Sequence, residues 1–308
     1  MSSLHTVATA MPLASLSLRS PLVAASGTVG SVVDFASVGS LDAYGAATAK
    51  SVSRDPWPGR PAPRIAPVGT GMLNGIGIQN PGIAAWSQTY GPRLGDTGVP
   101  IWGSAVGGDP AEFAEVAAGL ESAGVQAVEV NLSCPNLEGG GMFALDPSAS
   151  AAVVAAVRQA VSVPVSAKLS PNSEDIVAVA AAVAEAGADW VVLTNTVWGV
   201  GFDLETRKPL ITGGIGGYSG APLKPIALRC VWSVHQALPE LPIVGCGGVR
   251  TGRDVIEYLL AGASAVALGS IHFAEPRAGR RILREAVRLA RRHEARSLAE
   301  FVGEASSW

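Results

Sequence analysis

Cysteine is scarce in this chain. The 308 residues hold three, Cys134, Cys230 and Cys246, odd in number and far apart. That excludes a disulfide framework and points to a reducing compartment, so the protein is expected to be cytoplasmic. Three thiols cannot supply the four-Cys ligation of an iron–sulfur cluster, so any such cluster belongs to another chain. Histidine is equally thin. Of His5, His235, His272 and His293, only His272 falls near the end of an apolar run, where it reads as a local structural residue. No metal site is expected. The net charge of -3 comes without a basic block of nucleic-acid type. In residues 277–296, Arg280, Arg281, Arg284, Arg288, Arg291 and Arg292 alternate with Ile282, Leu283, Val287 and Leu289. This is the solvated face of an amphipathic helix, so no nucleic-acid partner is expected. No window reaches the roughly 18 uninterrupted apolar residues of a membrane helix. Residues 1–21 lack a basic start and a sustained apolar run, so neither a signal peptide nor a membrane partner is expected.

Small apolar residues, by contrast, are abundant. The chain is 48% hydrophobic with 37 glycines and few aromatics, which favours a buried parallel α/β core over a β-sandwich. Eight short apolar runs occur at 21–26, 46–52, 100–106, 127–133, 164–170, 190–196, 241–247 and 265–270. Helical patterns at 111–122, 148–161, 173–186, 224–238, 251–260 and 277–292 separate most of them or close the chain. Three junctions share one grammar, with Gly124, Gly187 and Gly262 each following Ala and preceding a strand. Glycine there suits the left-handed position that ends a helix. The expectation is an α/β fold, a parallel eight-stranded (β/α)8 TIM barrel forming a single domain over 1–308, with long loops at its C-terminal rim. Those loops are 54–81 and 199–220. A doubly wound sheet needs a richer glycine fingerprint than 26–30, SGTVG.

Residues 127–141, AVEVNLSCPNLEGGG, organise the rest: a buried strand releases amides and a thiol into a glycine-rich loop. The other strand ends carry Ser26, Lys50, Ser51, Ser104, Lys168, Asn195, Thr196, Gly247, Gly248, Gly269 and Ser270. In a barrel these converge on one pocket. The glycines after strands seven and eight offer bare N–H groups to a phosphate. Lys50 and Lys168 are cations suited to an electron-accepting ring or a carboxylate. Asn74, Asn80, Asn131, Asn136 and Asn195 suit a ring with alternating C=O and N–H, such as a pyrimidine. Cys134 has a thiol within reach of acid–base work near neutral pH.

From about residue 16 onward the chain resembles the catalytic subunits of class 1 dihydroorotate dehydrogenases. The resemblance rests on AASG at 24–27, AKSV at 49–52, GMLNGIGIQNPG at 71–82, NLSCPN at 131–136 and KLSPN at 168–172. NT at 195–196, SG at 219–220, GCGGV at 245–249 and ALGS at 267–270 complete it. It implies an FMN barrel that oxidises dihydroorotate to orotate in pyrimidine synthesis. Cys134 is then the base that takes the C5 proton while the C6 hydride goes to flavin N5. Lys50, Asn74, Asn131, Asn195 and Thr196 hold the substrate, and Gly75, Ile76, Gly77 and Ile78 bring backbone near it. Ser26, Lys50, Ser51, Asn131, Lys168, Thr194, Gly220, Gly247, Gly248, Gly269 and Ser270 line the flavin. NLEGGG at 136–141 is similar to class 1B. That implies a partner subunit carrying FAD and a 2Fe–2S cluster and passing electrons to NAD, in a homodimer or heterotetramer. The quinone-linked class has Ser in place of Cys134 and an N-terminal extension not expected here. Ser104 stands where the family usually has Asn, and Thr194, Ser270 and Gly75 are further departures. Two alternatives stay open: a flavin barrel acting on another pyrimidine, as dihydropyrimidine dehydrogenases do, and a non-redox phosphate-binding barrel.

Overall fold

The computed structural model of the chain describes residues 6–132 and 142–305. Eight strands form its centre: β1 (Leu22–Ala24), β2 (Ala46–Thr48), β3 (Ile101–Ala105) and β4 (Ala127–Asn131). They continue with β5 (Val165–Leu169), β6 (Trp190–Leu193), β7 (Ile243–Cys246) and β8 (Ala265–Leu268). Each pairs in parallel with the next, and β8 returns to β1 through Val266 and Leu22, closing the barrel. Nearly every strand residue is buried, because helices cover the outside and side chains fill the inside.

The expected strands run past the observed ones at their C-terminal ends. Ladder pairing stops at Ala24, Thr48, Leu193 and Leu268. The polar and glycine residues that follow have left the sheet, which frees them to form the rim.

Register decides which side chains look inward. Thr48 pairs with Trp102, Ser104 with Glu129, Glu129 with Ser166, Asn131 with Lys168 and Trp190 with Ser166. Paired residues share a face, so these side chains all point into the barrel. The Trp102 and Trp190 rings meet there at 5.0 Å between centroids. Small inward residues on other strands, Ala46, Ala127 and Ala265, leave room for the two indoles.

The helices are α1 (Ile83–Tyr90), α2 (Pro110–Ser122), α3 (Pro147–Ala160), α4 (Ile176–Glu185), α5 (Lys224–Ala237), α6 (Gly252–Leu260), α7 (Ile271–Ala274) and α8 (Ala278–Arg292). Acidic side chains start three of them: Asp109, Asp146 and Asp175 accept from the backbone N–H groups of Glu112, Ala149 and Ala178. Asp175 sets the start of α4 at Ile176, three residues after the expected 173. Helix α1 had no counterpart in the sequence reading, since its short, weakly apolar pattern lies among loop signals.

The stretches expected as long loops, 54–81 and 199–220, each carry short strands within their loops. Ile65–Val68, Gly71–Asn74, Gly216–Gly220 and Val197–Gly199 form a four-stranded antiparallel sheet over the C-terminal end of the barrel. Ala66, Leu73 and Ile211 give it a small core of its own. Its central pairing joins Gly71–Asn74 to Gly216–Gly220, far apart in sequence and rich in Gly, so no local period announced it.

The three helix-ending glycines have φ of 99° at Gly124, 104° at Gly187 and 105° at Gly262. A side chain at any of them costs about 1–2 kcal/mol of backbone strain. Their surroundings differ. A Cβ at Gly124 meets nothing, one at Gly187 comes within 2.9 Å of Arg158, and one at Gly262 drives into the His235 ring. Alanine substitutions measured by denaturant unfolding should therefore lose stability in the order Gly124, Gly187, Gly262. The last should lose roughly 3 kcal/mol or more, because overpacking adds to strain.

Candidate active site

A cavity of about 350 Å³ opens at the C-terminal ends of the barrel strands, beneath the antiparallel sheet. Its lining includes Ser26, Lys50, Ser51, Asn74, Ile76, Gly77, Ile78, Asn131 and Lys168. Thr194, Asn195, Thr196, Gly220, Gly247, Gly248, Gly269 and Ser270 complete the expected residues it brings together. Gly75 is not in that wall: it lies just past the strand Gly71–Asn74, and the space beside it is taken by Arg60 and Ile211. Cys134, with Asn136, lies outside the described residues.

A hydrogen-bonded row crosses four strand ends. The Ser104 and Ser51 hydroxyls are 2.9 Å apart. Asn131 Nδ2 donates to Ser51 Oγ at 3.0 Å, and Asn195 Nδ2 donates to Asn131 Oδ1 at 3.3 Å. The Thr196 N–H donates to Asn195 Oδ1 at 2.9 Å. The row fixes which end of each amide is oxygen and which is nitrogen. Ser104 is fully buried beneath it and lies outside the cavity wall; it braces Ser51. Asn74 donates to the Gly217 carbonyl at 3.1 Å and is held in the sheet above.

Not every asparagine joins the cavity. Asn80 accepts from the N–H groups of Ser53 and Gly82 and donates to Ser53 Oγ and the Ile78 carbonyl. Its amide is consumed in pinning the loop that carries Ile78. That loop holds Ile78 at φ 55°, an unfavourable backbone state for a branched residue.

At the other end of the cavity, Gly247 and Gly248 follow β7 with φ of 146° and 68°. A Cβ on Gly248 would come within 2.7 Å of the Lys224 backbone nitrogen at the start of α5, and one on Gly247 within 2.7 Å of Ala227. Only glycine lets the chain pass this close. With Gly269 and Ser270 leading into α7, this is a wall of backbone of the kind that binds phosphate. Thr194 Oγ1, also in the wall, is buried and has no hydrogen-bond partner among the described residues.

Lys168 reaches the floor from β5, with its Nζ 3.9 Å from Glu129 Oε1. Burial pulls the ammonium down, but the Glu129 carboxylate and the Cys246 thiol outweigh it, so Lys168 is held above its usual range. Burial raises Glu129, and Lys168 opposes that rise. Burial likewise raises the Cys246 thiol, against the pull of Lys168.

The chain matches the dihydroorotate dehydrogenase family model over residues 9–289. It belongs to the dihydroorotate dehydrogenase family. The type B, NAD(+) catalytic subunit from Geobacter sp. (strain M21) is 43% identical over 293 residues, covering 94% of this chain and 96% of its own length. The type B catalytic subunit from Bacillus pumilus (strain SAFR-032) is 41% identical over 298 residues, covering 96% of this chain and 95% of its own length. These relatives bear out class 1B, and membership makes the chain an oxidoreductase. A solved dihydroorotate dehydrogenase from Eimeria tenella, in complex with ferulenol, superposes with a TM-score of 0.81. It covers 96% of this chain and 88% of that one at 18% identity, a likeness of fold. Among the described residues no helix is long and apolar enough to cross a membrane.

The cavity also holds residues that were not among the expected site residues. Thr28 and Cys246 line it, and Phe273 stands at its edge, 57% exposed. Thr28 was legible only as part of SGTVG, which had been weighed for a different motif. Its hydroxyl donates to the Ala25 carbonyl at 2.8 Å and meets His272 Nδ1 at 2.9 Å. Since the Thr28 proton is used, Nδ1 is the protonated nitrogen, and Nε2 accepts from Tyr44 OH at 2.7 Å. His272 is therefore the structural residue the sequence suggested, and it positions a hydroxyl in the wall.

Burial lowers His272 to about 4 from an ordinary 6.5. Between these values the unfolded chain binds a proton that the folded chain refuses. Stability should thus be complete above pH 6.5, fall as pH drops to 4, and level off below, losing roughly 3 kcal/mol. In His272→Gln this pH-dependent loss should disappear from unfolding curves measured between pH 4 and 7.

Proposed function

We propose that the 308-residue chain is a single FMN-binding domain that oxidises dihydroorotate to orotate in pyrimidine synthesis. The observation that carries this reading is the convergence of Lys50, Asn131, Lys168 and the Gly247–Gly248 backbone on one cavity. The wall fits the cofactor. The bare glycine backbone suits its phosphate, and the buried, unpartnered Thr194 hydroxyl suits a polar ring edge. Lys168 suits the electron-accepting ring. Ser26, Lys50, Ser51, Asn131, Lys168, Thr194, Gly220, Gly247, Gly248, Gly269 and Ser270 would hold it. When bound, FMN supplies the acceptor for the hydride leaving C6 of the substrate.

The chain's own residues do the rest. Lys50, Asn74, Asn131, Asn195 and Thr196 orient the flat heterocycle, the asparagines through amides whose polarity the hydrogen-bonded row sets. The segment 76–78 brings backbone near it. Lys50 balances the substrate carboxylate. Cys134 takes the C5 proton. The antiparallel sheet above limits access of water to the cavity. Electrons then leave through a partner subunit that carries FAD and a 2Fe–2S cluster and reduces NAD. The three cysteines of this chain cannot hold that cluster themselves. The protein works in the cytoplasm, as a homodimer or within a heterotetramer.

Anaerobic titration with dihydroorotate tests the reading. Purified protein should be yellow and should bleach as substrate is added. Colourless protein that refuses FMN sinks it and favours a non-redox phosphate-binding barrel. Cys134→Ala should keep FMN yet bleach about 100-fold more slowly or worse at neutral pH, the ordinary worth of a general base. Unchanged kinetics in that variant remove Cys134 from the role. The chain alone should reduce NAD poorly, and co-purified partner subunit should restore that turnover.

A further inference from the structure

The interior of the barrel carries a charge that this chemistry does not use. Glu129 sits one inward position below Asn131 on β4, and only 3% of its side chain is exposed. It shares its register level with Ser104 and Ser166, below the cavity floor. Its Oε1 is buried with no hydrogen-bond partner among the described residues. A buried carboxylate in that condition is costly unless a cation offsets it. Lys168, 3.9 Å away on the neighbouring strand, is that cation. The distance makes this a charge contact rather than a hydrogen bond, so the ammonium is drawn to Glu129 without spending a donor on it.

We propose that Glu129 is a positioning residue for Lys168, a counter-charge within the barrel that keeps the ammonium charged and held at the cavity floor. Among the described residues near the pair, Ser104, Ser166 and Asn131 carry no charge, and Cys246 on β7 adds to the hold on Lys168 as a smaller influence than the Glu129 carboxylate. The consequence for the cofactor rests on the FMN reading above. A cation anchored from below meets negative charge arriving on the ring without moving, and the neutral pair tempers how strongly it attracts that charge.

Glu129→Gln keeps the shape and removes the charge. Burial, which works against the ammonium, then remains without the carboxylate that outweighed it, so the Lys168 pKa falls. The folded variant pays for a buried cation near neutral pH and loses that penalty as Lys168 deprotonates. Protein freed of cofactor should therefore melt several degrees below the parent at pH 7, with a gap that narrows towards pH 10. A gap that stays constant with pH marks a packing role only and overturns the proposal. The double variant Glu129→Gln/Lys168→Met should be more stable at pH 7 than Glu129→Gln alone. Should Glu129→Gln not fold, recovery of folded double variant supports the pairing and its failure overturns it. With FMN bound, Glu129→Gln should show a flavin absorbance change between about pH 7 and 10 that the parent and the double variant lack. If the parent takes up no FMN, the functional reading fails while the melting comparison still decides the role of Glu129.

Discussion

The structure depends on the register of one closed parallel ladder. Because every strand pairs with two neighbours, a slip in any of them would turn its inward residues outward and break closure. That constraint stacks the interior in levels. Asn131 and Lys168 stand at the mouth, one inward position above Glu129 and Ser166, and the paired indoles pack among the inward residues deeper in the barrel. An apolar barrel could close as well. What this one adds is polarity that rises towards one end, so that the end of the core is also the floor of the site.

Above that floor, the chain solves two opposite problems. At the Asn131 side it must hold flexible amides still, and it does so by linking them through Ser51 to the buried Ser104. At the Gly247–Gly248 side it must let a helix start come close to a strand end, and it does so by having no side chains at all. Ser104 illustrates why a departure from a family pattern need not be a loss. A shorter side chain cannot reach into the cavity, but it fits beneath Ser51 and orients it.

The antiparallel sheet over the cavity links distant parts of the chain. Gly71–Asn74 and Gly216–Gly220 are adjacent in it, although a large part of the barrel separates them in sequence. Asn74 is therefore fixed by Gly217, a residue from the far side of the fold.

The sequence alone determined the eight apolar runs, the glycines that end helices, and the strand-end positions of the lysines, amides and paired glycines. These are local signals: burial fixes apolar runs, and a left-handed turn requires glycine. It also read His272, just past the last strand, as a local structural residue. It could not show that 54–81 and 199–220 pair into a sheet, because antiparallel partners far apart leave no local period. Nor could it show that Asn80 is spent on backbone while Asn131 faces the cavity, since both are asparagines beside loops. Glu129 was hidden for a like reason, as one acidic residue in an apolar run. Only the tertiary structure decided that Lys168 lies beside it, since the barrel brings neighbouring strands together in a medium that penalises a lone charge.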